Sequence, residues 1–151
     1  MPASPSPRFD RRIYLLLLDD KDRLMLCRAC CSGWTVPQAL LDHDADFKEG
    51  ATRHLAERFH IENPRFGSVH GIHETRESNC WEHDQRTVSH VFIVRISTEE
   101  SDSLQEMSLS HTRWGISKLR ARHRDISPEG VTLLISGYVE GWLPDGPISL
   151  N

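Results

Sequence analysis

The chain has 151 residues, 38% apolar and 26% charged, the composition of one ordinary globular domain with enough length to bury a core. Neither disorder nor a collagen-like repeat fits that composition, and the formal charge of −4 argues against a general nucleic-acid binder. Arg outnumbers Lys fifteen to three, which bears on local chemistry because a guanidinium grips phosphate with a planar fork.

Residues 1–10 (Met1-Pro2-Ala3-Ser4-Pro5-Ser6-Pro7 and onward) lack the charged and apolar regions of a secretory signal and read as a flexible tail. Leu15 to Leu18 is the longest apolar run, too short to cross a bilayer. Residues 11–18 read as a buried strand, Asp19-Asp20-Lys21-Asp22 as a turn, and 23–28 as the returning strand. Leu24 and Leu26 then share one face, with Met25 and Cys27 on the other. Residues 29–44, with Gly33, Trp34 and Pro37, read as a loop.

A helix fits 47–59. Asp46 is its N-cap, Glu49 the capping-box partner, and Phe47, Ala51, Leu55 and Phe59 form a core stripe. Strands are expected over 65–73 and 88–96 with the polar stretch 74–87 looping between them. A closing helix is expected to start at Ser127-Pro128-Glu129 and run to about Val139. Trp34, Trp114 and Trp142 are expected in the core, whereas Trp81 lies in a polar loop and reads as a ligand contact. Residues 118–124 (Lys118, Arg120, Arg122, His123, Arg124) read as a solvated helix end, with an RNA or acidic partner as the alternative.

This order of elements resembles the Nudix hydrolase superfamily over residues 11–142. The match runs from Trp34-Thr35-Val36-Pro37 through Arg53-His54-Leu55-Ala56-Glu57-Arg58-Phe59-His60-Ile61. The resemblance implies a single-domain α/β/α sandwich around a mixed, curved sheet, with residues 143–151 as a C-terminal tail. It also implies hydrolysis of a nucleoside diphosphate linked to another moiety, with Mg²⁺ held by box glutamates. Hard cations need several oxygen ligands, and the metal lowers the pKa of the attacking water.

The box is degenerate. Its loop glycines stand as Gln38 and Ala39, its first Glu as Ala45, its glycine as His60, and its three late carboxylates as His54, Glu57 and Arg58. Positions 54, 57 and 58 share one helix face. A cation placed among His54, Glu57 and Arg58 meets repulsion, whereas phosphate oxygens meet donors. Ordinary metal-dependent hydrolysis is therefore expected to be lost or altered, which leaves open whether the chain is an enzyme. His54 and Glu57 are the candidate catalytic pair. Arg53, Arg58, Arg113 and Trp81 are candidate contacts to a phosphorylated or diphosphate-bearing small molecule. Glu57 is the remaining metal ligand, and it is expected to ion-pair with its neighbouring cation. No cofactor is expected, apart from Mg²⁺ if the box still holds it.

A decayed site serving as a ligand-binding or protein-interaction module is the alternative, and a homodimer is compatible with either reading. Cys27-x-x-Cys30 and Cys80-x-x-His83 have zinc-like spacing, but reduced thiols in a cytoplasmic protein, with no disulfide and no zinc, are the expectation.

Overall fold

A computed structural model describes residues 9–30, 32–42, 45–78 and 84–150. Strand β1 (Phe9–Leu18) and strand β2 (Leu24–Arg28) form the expected hairpin. The turn between them is built on Asp19, which is fully buried yet satisfied. Its carboxylate accepts from the Lys21 and Arg23 amides at 2.9 and 3.0 Å, from the Arg23 guanidinium at 2.9 Å and from the Ser101 hydroxyl at 2.9 Å. Burial pushes this carboxyl up, but those hydrogen bonds and the Arg23 charge outweigh burial and hold it below the usual range.

The expected loop after β2 contains two short strands, β3 (Trp34–Thr35) and β4 (Gln38–Leu41). Strand β4 pairs antiparallel with β1, and β3 is held between the neighbouring β2 and the distant β8 (Ile126–Ser127), so at two to four residues each they leave little sign in the local sequence. Helix α1 (Phe47–Phe59) follows as expected. Strands β5 (Arg65–Ser78) and β6 (Asp84–Arg95) extend well into the stretch expected to loop, because the two pair with each other out to Ser78 and Asp84. Helix α2 (Thr98–Met107) was not anticipated, although Ser97 and Glu100 spell its capping box, and both halves of that box form.

Then come β7 (His111–Trp114), α3 (Ile116–Ala121), a 3₁₀ turn (His123–Asp125), β8, α4 (Val131–Glu140) and β9 (Gly146–Ser149). Helix α4 begins three residues beyond Pro128 because Gly130, its N-cap, sits at φ 91°, outside the helical region. Within the segment expected as a C-terminal tail, residues 143–150 are not free: β9 pairs parallel with β5, and Leu150 packs on the core.

The sheet is mixed, in the order β8-β3-β2-β1-β6-β5-β9, with β1 parallel to β6 over ten residue pairs. Alternation along its central strands makes two cores. Ile13, Leu15 and Leu17 of β1, Met25 of β2, and Phe92 and Val94 of β6 meet Ala51 and Leu55 of α1 and Leu104 of α2. Leu16, Leu18, Leu24, Leu26, Val91 and Ile93 point the other way and meet Leu119 of α3 and Leu134 and Ile135 of α4. The architecture is therefore helices on both faces of a mixed sheet. Trp114 is buried and Trp34 half-buried, their rings 5.7 Å apart edge to face, while Trp142 is 54% exposed and lies outside the core. Lys118 and Arg122 lie over the Trp114 ring, Arg122 pairs with Asp125 and Arg120 with Glu140, so the basic run is committed to local contacts in part.

Candidate functional site

Helix α1 is fixed at both ends. Asp46 caps its start by accepting from the Glu49 amide at 3.1 Å. Its far end turns through His60 at φ 58° and ψ 30°, a left-handed conformation that lets the Ile61 amide reach the Leu55 carbonyl at 3.1 Å. The mid-helix Gly50 has a packing reason. A Cβ there would lie 2.5 Å from Leu41 Cδ2, so the missing side chain lets β4 close on the helix.

Two clefts flank this helix. The first, about 900 Å³, lies between α1 and β4 and is lined by Asp10, Leu40, Asp42, Glu49, Arg53, His54 and Glu57 among others. The second, about 800 Å³, is walled by Cys27, Thr35, Gln38, Arg58, Met107 and His111, and again by His54 and Glu57. Those two residues therefore form the ridge shared by both clefts. The first cleft is acidic, with carboxylates of Asp10, Asp42, Glu49 and Glu57 against the Arg53 guanidinium. The second sets Arg58 beside Glu57 with neutral donors around them, and is the better setting for an anion.

The expected ion pair of Glu57 with Arg58 does not form. Among the described residues neither of them, nor Arg53, takes part in an ion pair. All three side chains are exposed on α1, where solvation competes with pairing between neighbours on a short helical span. The His54 imidazole packs edge to face on Phe59 at 5.7 Å. Burial, then the Arg58 charge, push its pKa below the usual imidazole range, with Glu57 acting weakly the other way. It is thus neutral at pH 7, able to accept a proton at one nitrogen and donate from the other.

Arg113 does not join this group. Its guanidinium donates to Asp102 at 2.5 Å and to the Ser101 hydroxyl at 3.3 Å, which turns it to α2, and it lines neither cleft. Trp81 lies outside the described residues, as do Cys80 and His83 of the zinc-like spacing. Cys27 and Cys30 are free thiols, and burial pushes that of Cys27 up. Sequence reasoning passed over Cys27, Thr35, Gln38 and His111 as cleft residues. Gln38 stands where the resemblance places a glycine; its amide accepts from Arg12 at 2.7 Å and donates to Thr35 Oγ1 at 3.4 Å. His111 is held by Leu104, whose carbonyl lies 2.7 Å from Nδ1.

Among the described residues, the His54-Glu57-Arg58 face of α1 does not fit a hard divalent cation. Among the described residues no three of His, Cys, Asp and Glu converge closely enough to hold one. The helix face offers Glu57 between a neutral imidazole and a guanidinium, where Mg²⁺ needs several hard oxygens.

No family model matches the sequence, and no curated protein matches it. Solved structures do match the fold. An Ap4A hydrolase from C. elegans in a binary complex superposes with a TM-score of 0.59 at 12% identity, over 88% of this chain and 99% of that one. A NUDIX hydrolase from Nitrosomonas europaea gives 0.57 at 14% identity, over 91% and 93%. A MutT protein from Methanosarcina mazei Go1 gives 0.54 at 15% identity, over 91% and 98%. The helices-on-both-faces sandwich is thus of a known class. It is the Nudix fold.

Proposed function

We propose that this chain is a Nudix-superfamily protein that binds a phosphorylated or diphosphate-linked small molecule beside α1, with ordinary magnesium-dependent hydrolysis lost or altered. The observation that carries this reading is the ridge of His54 and Glu57 between two clefts, with Arg53 on one side and Arg58 on the other, both guanidiniums outside any ion pair among the described residues. An anionic ligand in the second cleft meets Arg58 first, and a neutral His54 donates to a phosphoryl oxygen without adding charge. Any residual hydrolysis falls to this pair. His54 takes the proton of a water that adds to phosphorus as the bridging P–O bond breaks, and Glu57 stabilises the imidazolium. The imidazolium then returns the proton to the leaving phosphate oxygen. Leu40, 64% exposed in the first cleft, offers apolar contact to the moiety beyond the phosphates.

Calorimetry with magnesium and with pyrophosphate, titrated separately, tests the reading. Pyrophosphate should bind saturably, and magnesium should neither bind tightly nor support turnover. Tight magnesium binding that Glu57→Gln abolishes, together with magnesium-dependent turnover, would establish an intact metal centre instead. Binding of neither titrant would leave a non-catalytic interaction module as the surviving account.

A further inference from the structure

On the opposite face of the sheet, away from α1, a groove of about 440 Å³ runs between the 3₁₀ turn, β8 and α4. Its walls are mainly apolar: Ile126, Pro128, Val131, Leu133 and Trp142. Leu133 and Trp142 are 62% and 54% exposed, an unusual display for two large apolar side chains side by side. The indole is nevertheless pinned. Its Nε1 donates to Glu140 at 3.0 Å, Glu140 in turn pairs with Arg120, and the ring edge lies where a Cβ on Gly137 would come within 3.0 Å of Cζ2. A ring held along one edge and still half open makes a ready-built wall.

Two hydroxyls in the same groove lack partners among the described residues. Thr132 Oγ1 and Ser136 Oγ are both closed to solvent and make no hydrogen bond, and Ser136 as a whole is 5% exposed. They are four residues apart on α4, so they lie on one stripe of the helix, and both residues line the groove. A helical hydroxyl commonly satisfies itself on the carbonyl one turn back, as Thr52 does on α1 by donating to Lys48 at 2.9 Å. Thr132 and Ser136 do not, and buried hydroxyls left this way are costly. Hydroxyl donors suit an uncharged acceptor. The Arg120 charge is already met by Glu140, and Glu129 offsets what remains at the rim.

We infer that this groove is a second ligand site, for a small, planar, mainly apolar molecule that lays its flat face on Trp142 and presents a carbonyl acceptor to Thr132 and Ser136, whose enclosed hydroxyls turn into the groove by rotation about χ1. Its volume lies in the range of small-molecule pockets. Nothing in the inference depends on the reading of the α1 clefts.

The test is an NMR titration of the full chain with two neutral probes, 2-naphthamide and naphthalene, reading the Trp142 indole resonance assigned through Trp142→Phe. Saturable movement of that resonance by 2-naphthamide is expected, with no movement on adding pyrophosphate. The shape-conserving double variant Thr132→Val with Ser136→Ala should weaken 2-naphthamide about tenfold, as loss of one to two net hydrogen bonds implies, and leave naphthalene unchanged. An equal loss for both probes, no loss for either, or no saturation by 2-naphthamide would overturn the site. So would movement of the indole resonance with protein concentration alone, since a second copy would then be what covers the groove.

Discussion

Helices α1 and α4 face each other across the same sheet and do opposite things with their outer surfaces. Helix α1 buries Ala51 and Leu55 and turns charge outward: Arg53, Glu57 and Arg58 are all exposed. Helix α4 buries Leu134 and Ile135, yet its open side shows Leu133, and two hydroxyls enclosed beneath it stay unsatisfied among the described residues. One helix thus presents ions to water, where their cost is small. The other presents apolar surface and orphan donors, where the cost is carried by the fold until something covers them. The difference sets two surfaces of unlike chemistry on one layered domain, with the sheet between them.

Truncations separate the buried from the displayed. Leu55→Ala should destabilise by about 2–5 kcal/mol, because Leu55 is fully enclosed between α1 and the β1–β6 sheet. Leu133→Ala, on the exposed side of α4, should change stability by no more than about 0.5 kcal/mol. A urea titration of both variants checks the contrast, and equal losses would break it.

Next in size is Asp19→Ala, which removes the acceptor for two backbone amides, Ser101 and Arg23 at once. A loss of about 3 kcal/mol is expected, as for removal of one member of a buried, hydrogen-bonded pair. The wild-type carboxyl is held below its ordinary pKa, so its contribution is fully present above about pH 4. It is lost as the pH falls through the folded-state value, and Asp19→Ala should flatten that acid limb in the same titration.

Arg58→Ala should weaken pyrophosphate binding about tenfold, the worth of one charge-assisted contact, while Arg113→Ala should leave it unchanged because Arg113 is tied to Asp102. Calorimetry on both variants reads this directly. If Arg113 proves the more important, the second cleft is not where the anion sits.

A smaller effect comes from the imidazoles. Burial lowers the pKa of His54, His70 and His90. His70 is further lowered by Lys48, and His90 by His70 and Arg11. In the unfolded chain they take up protons near pH 6.5, while in the folded protein they resist. Stability is therefore full above about pH 6.5 and declines as the pH drops towards the folded-state values. His90 stacks face to face on Phe47 with centroids 3.7 Å apart, so His90→Phe should keep the stack and remove part of the acid decline. Thermal melts at pH 7.5 and pH 5.5 check it.

How much of this was legible in the residues depended on the range of the interaction. The run Leu15 to Leu18, the turn on Asp19 and the Asp46-capped helix are local patterns, and each forms as read. The spacing of Trp34, Pro37, Arg53, Leu55 and Glu57 carried the fold, which the structural matches bear out. Strands β3 and β4 were hidden because two to four residues carry no periodicity, and β1 and β8, against which they also pair, lie far along the chain. Helix α2 was a miss of a different kind, since Ser97-x-x-Glu100 was there to be seen. The bond of Arg113 to Asp102 and the exposure of Trp142 follow from which elements meet in space, and no spacing within the chain encodes that.

The parallel pairing of β1 with β6 joins residue 9 to residue 86 and residue 18 to residue 95, so the centre of the sheet cannot close until more than half of the chain is available. The loop entropy of that closure must be met before the contacts reward it, which makes folding of this domain slow for its size. During synthesis Leu15 to Leu18 wait on a strand with one long edge unpaired. A nascent chain halted before β6 is therefore the species in which self-association on the ribosome would begin.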